Sequence, residues 1–165
     1  MSDPVELTKL QASLKNIIDE KGFSQTDKRL NRTVQALPGH FVVITNQPVV
    51  ARGLITIAEL KKINDALFEA LEKRRAFVDA IYSCPHHPDR NHSDIPQRAM
   101  KFRIVCKCRK PGIAMYEKAV SIFGSKNLLG VIGDQTKDVL AGRRLKLPTV
   151  IVKTGYKGED RRYDI

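Results

Sequence analysis

Short apolar segments alternate with helical segments through most of this chain, and no other feature limits its possible folds as strongly. Four segments have the length and residue types of buried strands: 41–45, 77–83, 127–133 and 148–155. Three segments between them are predicted helices: 56–75, 114–124 and 136–144. Strands that alternate with helices predict an α/β fold with a mostly parallel sheet.

The predicted helix 56–75 has the clearest local signals in the sequence. Thr56 and Glu59 have the spacing of a capping box. Apolar residues then recur at intervals of three and four positions: Leu60, Ile63, Leu67 and Leu71. In the next predicted helix, Gly124 is expected to end the segment.

The N-terminal segment is harder to interpret. Five apolar residues have helical spacing: Leu7, Leu10, Leu14, Ile17 and Ile18. A second helix is predicted over 27–37. At 165 residues the chain is expected to form a single domain 1–165, with a divergent N-terminal segment 1–35 and a metal-binding loop 84–108.

The net charge of +11 favours an anionic ligand. Nucleic acid is the less favoured ligand, because the basic residues are scattered and aromatic residues make up only 6% of the chain. A phosphorylated small molecule fits the same charge. The chain lacks an apolar run near the ~18 residues of a membrane span, and its N-terminus is polar, so we expect no membrane partner and a cytoplasmic location.

The loop from Cys84 to Cys108 holds all three cysteines of the chain. Cys84 and His86 form a C-x-H pair, and Cys106 and Cys108 form a C-x-C pair. Three thiolates and one imidazole are the usual ligands of a structural zinc ion. An odd number of cysteines also argues against a disulfide framework.

Two other histidines of the loop, His87 and His92, compete for the fourth ligand position. His86 is preferred because its spacing from Cys84 matches the C-x-C pair. The alternative interpretation is three unrelated buried cysteines, which the paired spacings disfavour.

Three residues with polar or metal-binding side chains lie at the carboxyl ends of predicted strands: Thr45, Cys84 and Asp134. In parallel α/β sheets the functional site lies at the carboxyl ends of the strands. The sequence therefore predicts a site that includes these three positions.

Four motifs occur in the order typical of one enzyme family: "VVITNQPVVARG", "IYSCPHHPD", "CKCRKPGIAM" and "VIGDQTKDVLAG". Over roughly residues 36–155 the chain resembles histidinol-phosphatase-like members of the haloacid dehalogenase superfamily, including heptose bisphosphate phosphatases and versions fused to sugar nucleotidyltransferases. The resemblance implies a three-layer, mostly parallel sheet, a zinc-binding loop beside the active site, and Mg²⁺-dependent hydrolysis of a sugar phosphate. A fused or separate nucleotidyltransferase is the partner it suggests.

The resemblance also implies roles for individual residues. Thr45 would bind the transferring phosphoryl group, and Lys110 would neutralise the phosphate and the nucleophile. Asp134 would bind Mg²⁺ with support from Asp138. Four residues would contact the substrate: Asn46, Gln47, Arg52 and Arg109.

The chain departs from the family at the nucleophile. Members begin with a strand that ends in D-x-D-G-T, and this motif is absent from the sequence. Asp19, in "LKNIIDEKGF", is the candidate remnant of the nucleophile. Lys21 would then replace the general acid/base, for which an ammonium group is poorly suited. The first strand is therefore expected to be missing or degenerate, either through true loss or through a start assigned too far downstream.

Two functions remain open from the sequence. The first is a sugar-phosphate phosphatase that acts at the 7-phosphate of a heptose bisphosphate. The second is a catalytically impaired, zinc-binding pseudo-phosphatase that acts as a binding protein. A nucleic-acid end phosphatase has only the net charge and the breadth of the superfamily in its favour.

Overall fold

The computed structural model describes residues 40–89, 95–124, 130–153 and 155–164. In chain order these contain β1 (Val42–Asn46), α1 (Ile57–Lys73), β2 (Ala80–Cys84), a 3₁₀ helix (Gln97–Phe102), α2 (Ala114–Phe123), β3 (Val131–Gly133), α3 (Thr136–Leu145) and β4 (Thr149–Ile151). The alternation of strands and helices confirms the predicted α/β class.

β1 and β2 pair in parallel, with Val42 opposite Ala80 and Asn46 opposite Cys84. The pairing continues one residue further, because the Gln47 N–H donates to the Cys84 carbonyl over 2.7 Å. At the other end of the pair, the Asp79 carboxylate accepts a 2.6 Å hydrogen bond from the Phe41 N–H. β2 begins at Ala80, three residues after the predicted start of this strand.

β3 and β4 form a second parallel pair, with Ile132 opposite Val150. The described strands thus form two two-stranded sheets and not the continuous sheet that the sequence predicted. The parallel direction of both pairs agrees with the prediction. α3 packs on β3 and β4, whereas α2 contacts β1 and β2.

Apolar contacts join the two strand pairs. Tyr116 of α2, Val131 of β3 and Ala141 of α3 form a buried cluster, against which Ile44 of β1 also packs. A second cluster contains Val50, Ile55 and Leu60 and lies beneath the loop that follows β1. The first cluster therefore holds β1 and β3 in one region of the molecule.

The ends of the helices follow the local sequence signals. The Thr56 hydroxyl accepts the Glu59 N–H at 3.2 Å, and the Glu59 carboxylate accepts the Thr56 N–H at 2.7 Å, which confirms the capping box. α2 ends at Gly124, which has a φ of 88°, a conformation that glycine adopts without strain.

Some predictions concern residues that the structure does not describe, and one element of the structure was not predicted. The predicted helices of the N-terminal segment and the candidate nucleophile Asp19 lie outside the described residues. The 3₁₀ helix Gln97–Phe102 lies inside the loop 84–108, where the sequence predicted no regular element. Among the helices that the structure describes, none is long and apolar enough to cross a membrane.

Candidate functional site

Four side chains converge at the end of β2: Cys84, His86, Cys106 and Cys108. Cys84 is the last residue of β2 and is completely buried. Its Sγ lies 3.6 Å from the Sγ of Cys106 and 3.2 Å from that of Cys108. The loop thus returns to the strand end and brings its two paired motifs together, as their spacing predicted.

The spacing of these atoms fits a tetrahedral metal site. The Nδ1 atom of His86 lies 3.6 Å from Cys84 Sγ and 3.2 Å from Cys108 Sγ, and all four donor atoms lie within 4.8 Å of one another. With Zn–S bonds of ~2.3 Å and Zn–N bonds of ~2.0 Å, a tetrahedron has S···S and S···N edges of about 3.5–3.8 Å. The cluster therefore needs little adjustment to hold one ion.

Metal binding requires thiolates and a neutral imidazole, and the four groups differ in how readily they reach these forms. Burial raises the pKa of the Cys84 thiol, and its hydrogen bond with Cys108 raises it further. Burial opposes ionisation of Cys106 as well, but hydrogen bonds from Cys108 and from the Arg109 N–H lower its pKa overall. Burial lowers the pKa of His86, which keeps the imidazole neutral, as a metal ligand must be.

The structure separates His86 from the other candidate histidines. His87 Nδ1 accepts a 3.2 Å hydrogen bond from the Asp89 N–H, and His87 is not part of the four-residue group. His92 lies outside the described residues.

Lys110 lies next to the metal group in sequence, and its side chain reaches between the two strand pairs. Its Nζ donates to the Ile44 carbonyl of β1 over 2.7 Å. The same atom lies 2.7 Å from Asp138 Oδ1 in α3, as an ion pair that is almost fully shielded from solvent. Lys110 thus joins β1 to the helix that covers β3.

The carboxamide of Asn46 holds the main chain of Lys110. Asn46 Oδ1 accepts the Lys110 N–H over 2.9 Å, and Asn46 Nδ2 donates to the Lys110 carbonyl over 3.1 Å. The last residue of β1 is therefore attached to the segment that follows the C-x-C pair.

Thr45 lies between the two β1 residues that contact Lys110. Its hydroxyl oxygen accepts a 3.2 Å hydrogen bond from Gln47 Nε2. A hydroxyl that accepts such a bond keeps its own proton to donate. Thr45 can therefore donate to an anion at the end of β1.

Asp134 follows β3 and is held by the C-terminal segment. Its Oδ2 accepts the Tyr156 N–H over 3.1 Å, and its carbonyl accepts the Gly158 N–H over 2.7 Å. A Cβ atom on Gly155 would overlap the Asp134 carboxylate, so this close approach requires glycine. The contact with Tyr156 leaves Asp134 Oδ1 to bind a cation.

The neighbouring acid Asp138 is buried and engaged at both oxygens. Oδ1 faces Lys110, and Oδ2 accepts the Gln135 N–H over 3.1 Å. A Cβ atom on Gly133 would overlap the Asp138 carboxylate. Gly133, in the "GDQTKD" segment, thus lets the Asp138 carboxylate lie against the end of β3.

Basic side chains surround these residues. Arg109 Nη1 donates to the His86 carbonyl over 3.1 Å. Burial lowers the pKa of His87, and the charges of Arg109 and Arg52 lower it further. The region is therefore positively charged, as an anion site requires.

Two residues of the site were not identified from the sequence. Lys137 is half-buried beside Lys110, and its pKa is lowered by burial and by the charge of Lys110. The Asp160 carboxylate accepts hydrogen bonds from both the N–H and the hydroxyl of buried Thr136, at 2.7 and 3.0 Å. Lys137 could have been noticed inside the "GDQTKD" motif, whereas nothing in the sequence connects Asp160 with Thr136.

Comparison with known proteins identifies related sequences. The family model described as HAD-hydrolase-like matches residues 107–164. D-glycero-D-manno-heptose-1,7-bisphosphate 7-phosphatase of Chlorobaculum tepidum is 32% identical over 126 residues, which are 72% of this chain and 59% of that enzyme. The corresponding D-glycero-beta-D-manno-heptose enzyme of Escherichia coli K12 is 34% identical over 69% of this chain and 57% of its own length. The chain thus spans less than two thirds of these relatives.

Solved structures agree with the sequence matches. D,D-heptose 1,7-bisphosphate phosphatase of Bordetella bronchiseptica, complexed with magnesium and phosphate, superposes with a TM-score of 0.60 at 33% identity, over 78% of this chain and 64% of that one. A HAD-like phosphatase from Mesorhizobium loti gives a TM-score of 0.58 at 25% identity, over 70% of this chain and 53% of that one. The chain is therefore similar to proteins of the haloacid dehalogenase superfamily, and among them to the heptose bisphosphate phosphatases.

Proposed function

We propose that this chain is a Mg²⁺-dependent sugar-phosphate phosphatase, which removes the 7-phosphate of a heptose 1,7-bisphosphate. The main support is the position of Lys110, whose ammonium group contacts both the carboxyl end of β1 and Asp138. The chain is also similar to enzymes that are named for this reaction, although it spans less than two thirds of their length.

The side chains at the strand ends suit a phosphoryl group. The Thr45 hydroxyl would donate to a phosphoryl oxygen, while the Lys110 ammonium group would neutralise part of the phosphate charge. Asp134 would hold Mg²⁺, which supplies further neutralisation of that charge when bound. Three residues would contact the rest of the substrate: Gln47, Arg52 and Arg109.

The Cys84, His86, Cys106 and Cys108 group would hold a structural zinc ion. Arg109 and Lys110 follow Cys108 directly, and the Arg109 N–H donates to Cys106 Sγ over 3.4 Å. Metal binding would thus order the segment that carries both cations. Free thiols and a sugar-phosphate substrate fit the cytoplasm, where a fused or separate sugar nucleotidyltransferase would be the partner.

The position of the nucleophile can be inferred from the strand edges. The Gln47 N–H points toward β2, so by the alternation of a strand the Ile44 carbonyl points to the opposite edge of β1. Val131 N–H and Gly133 C=O bond toward β4, so the polar groups of Ile132 face away from β4. In the part of the chain that the structure describes, neither of these two edges is paired with a strand.

A further parallel strand between β1 and β3 would end beside the Lys110 ammonium group. The family resemblance places the D-x-D-G-T strand at the start of the fold, and in this chain Asp19 is the candidate carboxylate. Asp134 and Asp138 already contact Tyr156 and Lys110, so neither is placed as the attacking group. The nucleophile would therefore come from this additional strand.

A second function, a pseudo-phosphatase that binds phosphate without turnover, is favoured by the absence of D-x-D-G-T from the sequence. An assay of phosphate release from heptose 1,7-bisphosphate in the presence of Mg²⁺ distinguishes the two functions. It is applied to the wild type and to three variants: Asp19→Asn, Asp134→Asn and Lys110→Ala. Turnover that Asp134→Asn lowers by ~10²-fold or more supports the phosphatase. Phosphate binding without turnover supports the pseudo-phosphatase. If Asp19→Asn leaves turnover unchanged, Asp19 is not the nucleophile.

A further inference from the structure

We propose that Asn46 is a positioning residue, which holds the main chain of Lys110 so that its ammonium group remains at the carboxyl end of β1. This inference rests on the proposed phosphate site. It differs from the direct substrate contact that the family resemblance implied for Asn46.

The hydrogen bonds of Asn46 suit this role. Its Oδ1 accepts from the Lys110 N–H at 2.9 Å, and its Nδ2 donates to the carbonyl of the same residue at 3.1 Å. A carboxamide side chain combines a neutral acceptor and a donor in one small planar group. The two bonds together fix both the position and the orientation of the Lys110 peptide groups.

The location of Asn46 makes it an effective anchor. It is the last residue of β1 and pairs in register with Cys84, the buried ligand at the end of β2. Asn46 and Lys110 are 64 residues apart in the chain, so their contact joins the segment after Cys108 to the end of β1.

Lysine needs such an anchor more than arginine would. Its four-carbon stem has many rotamers, and its ammonium group has no preferred plane. The ammonium group of Lys110 is held by the Ile44 carbonyl and Asp138, whereas its main chain is held by Asn46. Loss of the main-chain anchor should let the ammonium group leave the strand end, even though Lys110 itself is unchanged.

Site-specific labelling of Lys110 tests the position directly, without any need for turnover. The side chain is only 13% exposed, so an amine-reactive reagent should modify it slowly in the wild type, as measured by peptide mass spectrometry. We expect Asn46→Ala to accelerate this labelling by about fivefold, which corresponds to the loss of one or two ordinary hydrogen bonds. Asn64→Ala is the matched control, because Asn64 is also partly buried but donates to Ser83 Oγ and not to Lys110.

Binding of inorganic phosphate, measured by calorimetry, tests whether Asn46 acts through Lys110. Asn46→Ala should weaken binding by about tenfold in the wild type, but by at most about twofold when Lys110→Ala is already present. If Asn46→Ala fails to fold, Asn46→Ser replaces it, because serine is neutral and too short to make both hydrogen bonds, and we expect the same direction of change.

The outcomes separate the two proposals. Unchanged labelling of Lys110 in the Asn46 variant overturns the positioning role. An equal loss of phosphate affinity with and without Lys110 also overturns it and indicates direct contact between Asn46 and the anion. If the wild type does not bind phosphate, the proposed function fails, and the labelling result still decides whether Asn46 positions Lys110.

Discussion

Lys110 Nζ lies 2.7 Å from Asp138 Oδ1, and the two side chains are only 13% and 4% exposed. The resemblance gave these residues separate roles, one toward phosphate and one in support of Asp134. The structure joins them in one ion pair at the centre of the site. An incoming phosphoryl group would therefore meet a lysine that is already oriented by its partner.

The ion pair should make Lys110 important for stability as well as for binding. Lys110→Ala leaves a buried carboxylate without its cation, which typically costs about 3 kcal/mol of the free energy of unfolding. Urea denaturation at pH 7 measures this loss. Lys61→Ala is the control, because its pair with Asp65 is exposed and should contribute no more than about 0.5 kcal/mol. Similar losses in the two variants would show that the Lys110 pair is not a buried interaction in solution.

The metal group should bind one zinc ion per chain. Elemental analysis of protein purified without added metal is expected to show this content, and a chelator should lower the melting temperature, because the ion orders the 25 residues from Cys84 to Cys108. His86→Ala should reduce the bound zinc, whereas its neighbour His87→Ala should retain it. Loss of zinc in His87→Ala alone would identify His87 as the fourth ligand.

The capping box of α1 should make stability dependent on pH. Hydrogen bonds from the Thr56 N–H and hydroxyl hold the pKa of Glu59 below its ordinary value of 4.5. A carboxylate with a lowered pKa stabilises the folded state above pH 4.5, and this contribution disappears as the pH falls through the folded-state pKa. Thr56→Ala should cost about 1 kcal/mol at pH 7 and less at pH 3. Urea titrations of the wild type and Thr56→Ala at the two pH values measure this loss in the free energy of unfolding. An equal loss at both pH values would contradict a role for ionised Glu59.

The C-terminal segment should hold Asp134 through Gly155. Gly155 and Gly158 have φ values of +63° and +77°, so alanine at either position should cost about 1 kcal/mol in backbone strain. Only at Gly155 would the added Cβ overlap the Asp134 carboxylate; at Gly158 it would meet Ile151 at 3.4 Å. Gly155→Ala should therefore weaken Mg²⁺ binding in calorimetry, while Gly158→Ala should not. Equal Mg²⁺ affinity in both variants would show that the contact with Gly155 does not control Asp134.

Local features of the sequence were sufficient for the main elements and for the metal group. The cap at Thr56, the end of α2 at Gly124 and the four strands each depend on residues close together in the chain, where periodicity and capping preferences apply directly. The C-x-H and C-x-C pairs likewise identified the four converging side chains, because each pair places two metal-binding groups close together in the chain.

The tertiary structure alone decided how these local units meet. Neither spacing nor composition connects Asn46 with Lys110, Lys110 with Asp138, or Asp160 with Thr136. Hydrogen-bond capacity is a property of each residue, but a contact between distant residues depends on how strands and helices pack. The residue types alone specify which groups this protein can offer to a metal and a phosphate. Packing decides which of those groups hold one another, because Ile44, Tyr116 and Val131 bring β1, α2 and β3 into one core.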